Sequence, residues 1–100
     1  MMKIKPNMLR GKLLSLMNQM YPTPINEMDI VGILYQYHSV DDIKRELQYL
    51  ADKEYCTRTE LPHPYKVGEK IVTCKLTARG LDLLNGDIPT DPGIVVPVGE

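Results

Sequence analysis

The chain has 100 residues, 43% of them apolar, and a formal net charge of −1. That length fits one domain with a small core, and the near-neutral total excludes a strongly basic nucleic-acid glue. Apolar runs such as Leu13-Leu14 are too short to span a membrane. Lys3 and Lys5 are followed by no signal-peptide pattern, so a cytoplasmic protein with no membrane contact is expected.

The first helix is expected to start at a cap on Asn7, with Leu9, Leu13, Leu16, Met17 and Met20 at helical spacing. Pro22 and Pro24 end it, because each ring removes a donor and disfavours helical geometry just before it. A very short strand at Ile25 leads to Asn26, the cap of a second helix whose first turn holds Glu27 and Asp29, where acids complement the dipole. Met28, Val31, Leu34 and Tyr35 form the expected inner stripe of that helix. After the tight turn Tyr37 to Ser39, Ser39 caps a third helix over 39–53, with Asp42 completing a variant capping box. Val40, Ile43, Leu47 and Leu50 mark its inner face, and Asp41, Arg45, Gln48, Tyr49 and Asp52 its outer one.

From Cys56 the pattern turns to β. Cys56-Thr57-Arg58-Thr59 and Lys70-Ile71-Val72-Thr73-Cys74-Lys75 are rich in β-branched residues, and residues 61–68 between them form a loop with two prolines. Thr77 caps a fourth helix that Asn85-Gly86 stops. The domain organisation expected is a basic N-terminal arm over 1–7, a folded domain over 8–86, and an extended Pro/Gly-containing tail over 87–100.

Three helices, a hairpin and a fourth helix resemble the winged helix-turn-helix families of bacterial and phage regulators, including the multiple-antibiotic-resistance and arsenic-responsive repressor types. The resemblance is carried by the spacing Leu47…Leu50…Tyr55 and by Leu76-Thr77-Ala78-Arg79-Gly80-Leu81. A closer likeness is to small winged-helix proteins of Mu-like prophages, which pair an Asn-capped second helix and a Ser-capped third with a Leu-Thr-x-x-Gly phrase. Their tail is close to Asp91-Pro92-Gly93-Ile94, and the likeness covers about residues 9 to 97. It implies an α+β winged-helix fold that binds double-stranded DNA. Fold analogy alone supplies no biochemical role. One departure is Lys53-Glu54-Tyr55, where the turn leaving the third helix often uses glycine; a less sharp corner is expected there.

Under that resemblance the third helix enters a major groove with Lys44, Arg45, Gln48 and Tyr49, side chains that include guanine and adenine readers. The hairpin, or wing, over 56–75 lies on the backbone with Arg58, His63, Lys66 and Lys70 at its tip. The competing description is a solvated helix face of mixed charge beside an ordinary polar loop, and the alternative function is a protein-interaction module of phage assembly. Cys56 and Cys74 face one another if the loop centres on Tyr65, and are expected as two reduced, mostly buried thiols. No close-set metal-ligand pair, phosphate-binding glycine loop or nucleophile elbow is present, so no cofactor, no metal and no enzymatic activity are expected. Leu14, outside the main stripe of the first helix, and Ile94, Val95, Val96 and Val98 in the tail are apolar residues in want of cover. A homodimer with the first helix, the fourth helix and the apolar tail at its interface is expected, the alternative being a monomer whose tail folds back on its own helices.

Overall fold

A computed structural model describes residues 5–97. Lys3, Val98 and the rest of 1–4 and 98–100 lie outside the described residues, and with them most of the expected N-terminal arm. The described chain is α+β, with four helices and one three-stranded antiparallel sheet. In order these are α1 (Pro6–Met20), β1 (Ile25–Asn26), α2 (Glu27–Leu34), α3 (Val40–Asp52), β2 (Cys56–Pro62), β3 (Lys70–Leu76) and α4 (Ala78–Asn85). The sheet order is β1-β3-β2, so the short strand before α2 pairs with the returning arm of the hairpin. That order leaves β2 on an edge, where Pro62 as its last residue costs no ladder bond. No helix among the described residues is long and apolar enough to cross a membrane.

Three of the four caps are those expected from sequence. The side chains of Asn26, Ser39 and Thr77 accept from the backbone N–H groups of Met28, Asp42 and Gly80 at 2.9, 3.1 and 3.0 Å. Gly86 closes α4 in the left-handed region at φ 78°. Asn7 does not cap α1: Lys5 takes that position, and Pro6 opens the helix where a missing N–H costs nothing. The corner after α3 is as tight as a glycine would make it. Glu54 itself adopts φ 67°, the N–H of Tyr55 reaches the Leu50 carbonyl at 3.0 Å and that of Glu54 reaches Ala51 at 3.0 Å. These two bonds are the Schellman closure of a helix.

One apolar cluster joins all four helices and the sheet, with Leu13, Leu14, Met17, Ile30, Ile43, Leu47, Leu50, Cys74 and Leu76 essentially without exposure. Leu14 therefore belongs to this core and is not outside the stripe of α1. The stripes of α2 and α3 keep Val31 and Leu34, and Ile43, Leu47 and Leu50, as expected, but differ at their other positions. Glu27, Ile30, Val31 and Leu34 point inward on α2, and Ile43, Glu46, Leu47 and Leu50 on α3. Met28, Tyr35 and Val40 are exposed instead, and so is Met20 at the end of α1. Tyr35 lies past the last residue of α2, so the helical period no longer governs it.

The tail is not free. Over 87–97 it returns across α1 and α3, where Val95 donates to the Asn7 carbonyl at 3.0 Å and Ile94 enters the common core. Gly11 allows this crossing, since a Cβ there would overlap the Val95 carbonyl oxygen.

Candidate nucleic-acid interface

Lys44 and Arg45 are exposed on α3, and Lys44 has no ion pair or side-chain hydrogen bond to the described residues. Arg45 is held on two sides. Its Nε donates to Oε2 of the buried Glu46 at 3.0 Å, and a terminal nitrogen sits 3.0 Å from Asp42 Oδ1. The hydrogen bond to Glu46 and the neighbouring carboxylates raise its pKa further, so Arg45 is a permanent cation.

Gln48 and Tyr49, expected on the DNA-contacting face of the third helix, are engaged within the protein. Gln48 donates to Asp52 at 2.8 Å and accepts from Arg58 at 2.7 Å, which occupies both ends of its amide. Tyr49 is half-buried, with the Arg10 guanidinium stacked 3.6 Å from its ring centroid and Gly93 against its hydroxyl.

The hairpin separates its cations in the same way. Arg58 is not at the tip but three residues into β2, opposite Cys74. It donates from Nε at 2.9 Å to Glu27, a carboxylate 3% exposed, and so ties β2 to the start of α2. His63 serves the loop: its Nδ1 accepts from the backbone N–H groups of Tyr65 and Lys66, both at 3.0 Å. Lys66 and Lys70 remain at the surface beside Glu69 (3.9 Å) and Glu60 (2.8 Å), with side chains about two-thirds exposed at 65% and 68%. The Glu60 pairing raises the pKa of Lys70 and lowers that of Glu60 through hydrogen bonding first and charge second. Tyr65 and Val67 at the tip stand free of the body.

Cys56 lies opposite Leu76, and Cys74 opposite Arg58, so the two thiols are diagonal neighbours and do not face each other. The register centres the loop on Lys66, and that one-residue difference from a loop centred on Tyr65 shifts the partner by two. Both thiols are free and buried, and burial pushes Cys56 up to about 12 and Cys74 to about 11. Among the described residues no three His, Cys, Asp or Glu side chains converge as a metal site requires.

A second surface lies between α1, the end of α2 and the tail. It is a groove of about 470 Å³ with Met8, Leu16, Ile33, Tyr37 and Val95 in its walls and Lys12 as its charged residue. Of the residues expected in a dimer contact, Val95 borders this groove, Val96 packs in part against the core, and Leu14 and Ile94 are buried within the chain itself.

Four residues that organise this surface were given no such role by the sequence reading: Arg10, Glu46, Asp91, and Glu27, which it placed only as a first-turn acid. Two of them carried a signal. Glu27 and Glu46 each occupy the first or second position of an i, i+3, i+4, i+7 apolar stripe, and an acid on an inward face needs a cation brought to it. The chain matches no protein-family model, and no curated protein or solved structure matches it significantly.

Proposed function

We propose that the chain is a winged-helix protein that binds double-stranded DNA, as a transcriptional or phage-associated regulator. The observation that carries this reading is the element order. A helix, a two-residue strand, two helices, a hairpin and a helix, with the sheet ordered β1-β3-β2, is the order such a fold uses, and one face of α3 and the hairpin tip carry exposed cations. Lys44 and Arg45 are the residues for the groove, and Lys66 and Lys70 those for the backbone. Exposed ion pairs such as Lys70–Glu60 contribute little to the fold, so their cations are free to exchange a carboxylate for a phosphate. Arg58, Gln48, Tyr49 and His63 hold the frame and contact no DNA in this reading.

With four cations, affinity for a random duplex should fall roughly 100-fold between about 50 and 200 mM salt. Absence of binding at the lower salt overturns the reading. Lys66→Ala and Lys70→Ala should weaken all sequences alike, and Arg45→Ala should relax sequence preference.

A second reading, a protein-interaction module, is favoured by the groove beside α1. Lys12 has no anionic partner among the described residues, so the occupant is an apolar segment that carries a carboxylate. With Leu14 and Ile94 buried, Val95 at this groove is the exposed one of the residues expected in a homodimer contact. Light scattering of the full chain distinguishes self-association from capture of another protein.

A further inference from the structure

We infer that Arg10 is a positioning residue for Arg45, acting through Glu46, and that the turn Asp91–Ile94 beyond the last helix holds Arg10 in place. The inference rests on the DNA-binding reading for its functional consequence, but its structural half stands on contacts within the chain. An exposed arginine on a helix ordinarily samples many rotamers, and ordering it on binding costs free energy. Arg45 is spared much of that cost if it is already fixed in the free protein.

The contacts run unbroken from the tail to the exposed guanidinium. Glu46 is 2% exposed and spends one carboxylate oxygen on each arginine: Arg10 Nε at 2.8 Å on Oε1, and Arg45 Nε at 3.0 Å on Oε2. Arg10 is gripped on two further sides, by the Gly93 carbonyl at 3.0 Å and by the face of the Tyr49 ring. Gly93 is fixed in its turn by Asp91, whose Oδ1 accepts the Gly93 N–H at 2.8 Å. The other oxygen of Asp91 accepts the Tyr55 hydroxyl at 2.8 Å and meets Lys53 at 3.2 Å, which anchors the turn to the end of α3. A side chain at position 93 would collide with the Tyr49 hydroxyl, so the turn admits glycine there.

A carboxylate shared by two arginines, with planar geometry at each, gives directional bonds that a lysine cannot reproduce. The outward arginine thereby presents its remaining N–H groups in one orientation. The tail thus contributes to recognition although none of its residues lies on the exposed face of α3.

The test is a double-mutant cycle in the full chain, with Arg10→Lys and Arg45→Gln alone and together. The probe is a random-sequence duplex at about 50 mM salt, with thermal unfolding of each variant alongside. Lysine keeps a positive charge against Glu46, so the fold is retained, but it cannot bond Glu46 and the Gly93 carbonyl together while stacking on Tyr49. Arg10→Lys should weaken DNA binding about 3- to 10-fold when Arg45 is present, a part of the ordering entropy of one long side chain. It should have no further effect on binding in the Arg45→Gln background, while lowering the melting temperature in both backgrounds. Equal weakening in both backgrounds, or none in either, overturns the proposal. Nitrogen-15 NMR of the free protein reads the brace without DNA. The Arg45 Nε–H should exchange slowly with water in the wild type and quickly in Arg10→Lys. If the wild type binds no duplex, the DNA reading fails, and an Arg45 Nε–H that exchanges quickly already in the wild type rejects the brace itself.

Discussion

Glu54→Gly should stabilise the protein. Glu54 sits at the position after the α3 cap with φ 67°, and its exposed side chain makes no hydrogen bond or ion pair to the described residues. Its bonds to the described residues are made by its backbone: the N–H to Ala51 and the carbonyl that accepts the Thr77 hydroxyl at 2.7 Å. Left-handed geometry costs an L-residue about 1–2 kcal/mol. Glycine removes that cost but adds roughly 0.5–1 kcal/mol of chain entropy to be lost on folding. The net expectation is a gain of about 0.5–1 kcal/mol, or about 2–8 °C in melting temperature for a domain of this size. Glu54→Ala is the control, because it removes the carboxylate and keeps the backbone cost, so it should leave stability near that of the wild type. Urea and thermal unfolding of the three proteins measure the difference. If glycine is no more stable than alanine, the corner does not carry the strain assigned to it.

Three further outcomes follow from buried groups. Gly11→Ala should destabilise by about 1–3 kcal/mol, despite the better helix propensity of alanine, because its Cβ meets the Val95 carbonyl; faster amide exchange at Val95 would accompany the loss. The His38 imidazole is 8% exposed with Nε2 unpaired among the described residues, and burial, then the charge of Lys12, lowers its pKa below 6.5 against a smaller opposing pull from Asp42. The unfolded chain therefore binds a proton that the fold refuses, so stability should fall as pH drops from about 6.5 toward the folded value, and His38→Gln should flatten that slope in urea titrations between about pH 7.5 and 5.5. Cys56 and Cys74, with thiols pushed up to about 12 and about 11, should resist a disulfide reagent at about pH 8 until urea exposes them; rapid labelling of the native protein would contradict their burial.

Legibility in the sequence followed the range of the interaction. The caps at Asn26, Ser39 and Thr77 and the stop at Gly86 each depend on a contact two to four residues away, and all four are where the sequence puts them. The strand at Ile25 and both arms of the hairpin were legible for the same reason, through local β-branched content. What depended on distant partners was not. The one-residue shift of the hairpin centre that parts Cys56 from Cys74 brings Arg58 opposite Cys74 and within reach of Glu27, a partner 31 residues away. Leu14 reads as surplus only if the stripe of α1 is taken to be narrow; α3, β3 and α4 all pack on α1, so its buried arc is wider. The docking of the tail could not be foreseen from Asp91-Pro92-Gly93, because its partners Tyr55, Tyr49 and Arg10 lie up to 83 residues away.

The arginines show why charge counting along the chain does not separate cations committed to the fold from exposed ones. Arg10 and Arg58 each answer a carboxylate buried on the inner stripe of a helix, Glu46 on α3 and Glu27 on α2. Leaving either carboxylate without its cation strands a charge in a poorly solvated place, which is far more costly than losing a surface pair. These two arginines are therefore committed to the interior, and the guanidinium suits that task because one planar group can serve several acceptors. Arg58 bonds both Glu27 and Gln48, joining α2, β2 and α3, while Arg10 bonds Glu46 and Gly93, joining α1, α3 and the tail. Helix α3 is thus tied on two flanks, to Arg10 through its buried Glu46 and to Arg58 through Gln48, with Lys44 and Arg45 left on its open side. An acid at a stripe position is the sequence mark of such a tie, because a carboxylate on an inward face needs a cation brought to it, as Arg58 is brought to Glu27 and Arg10 to Glu46.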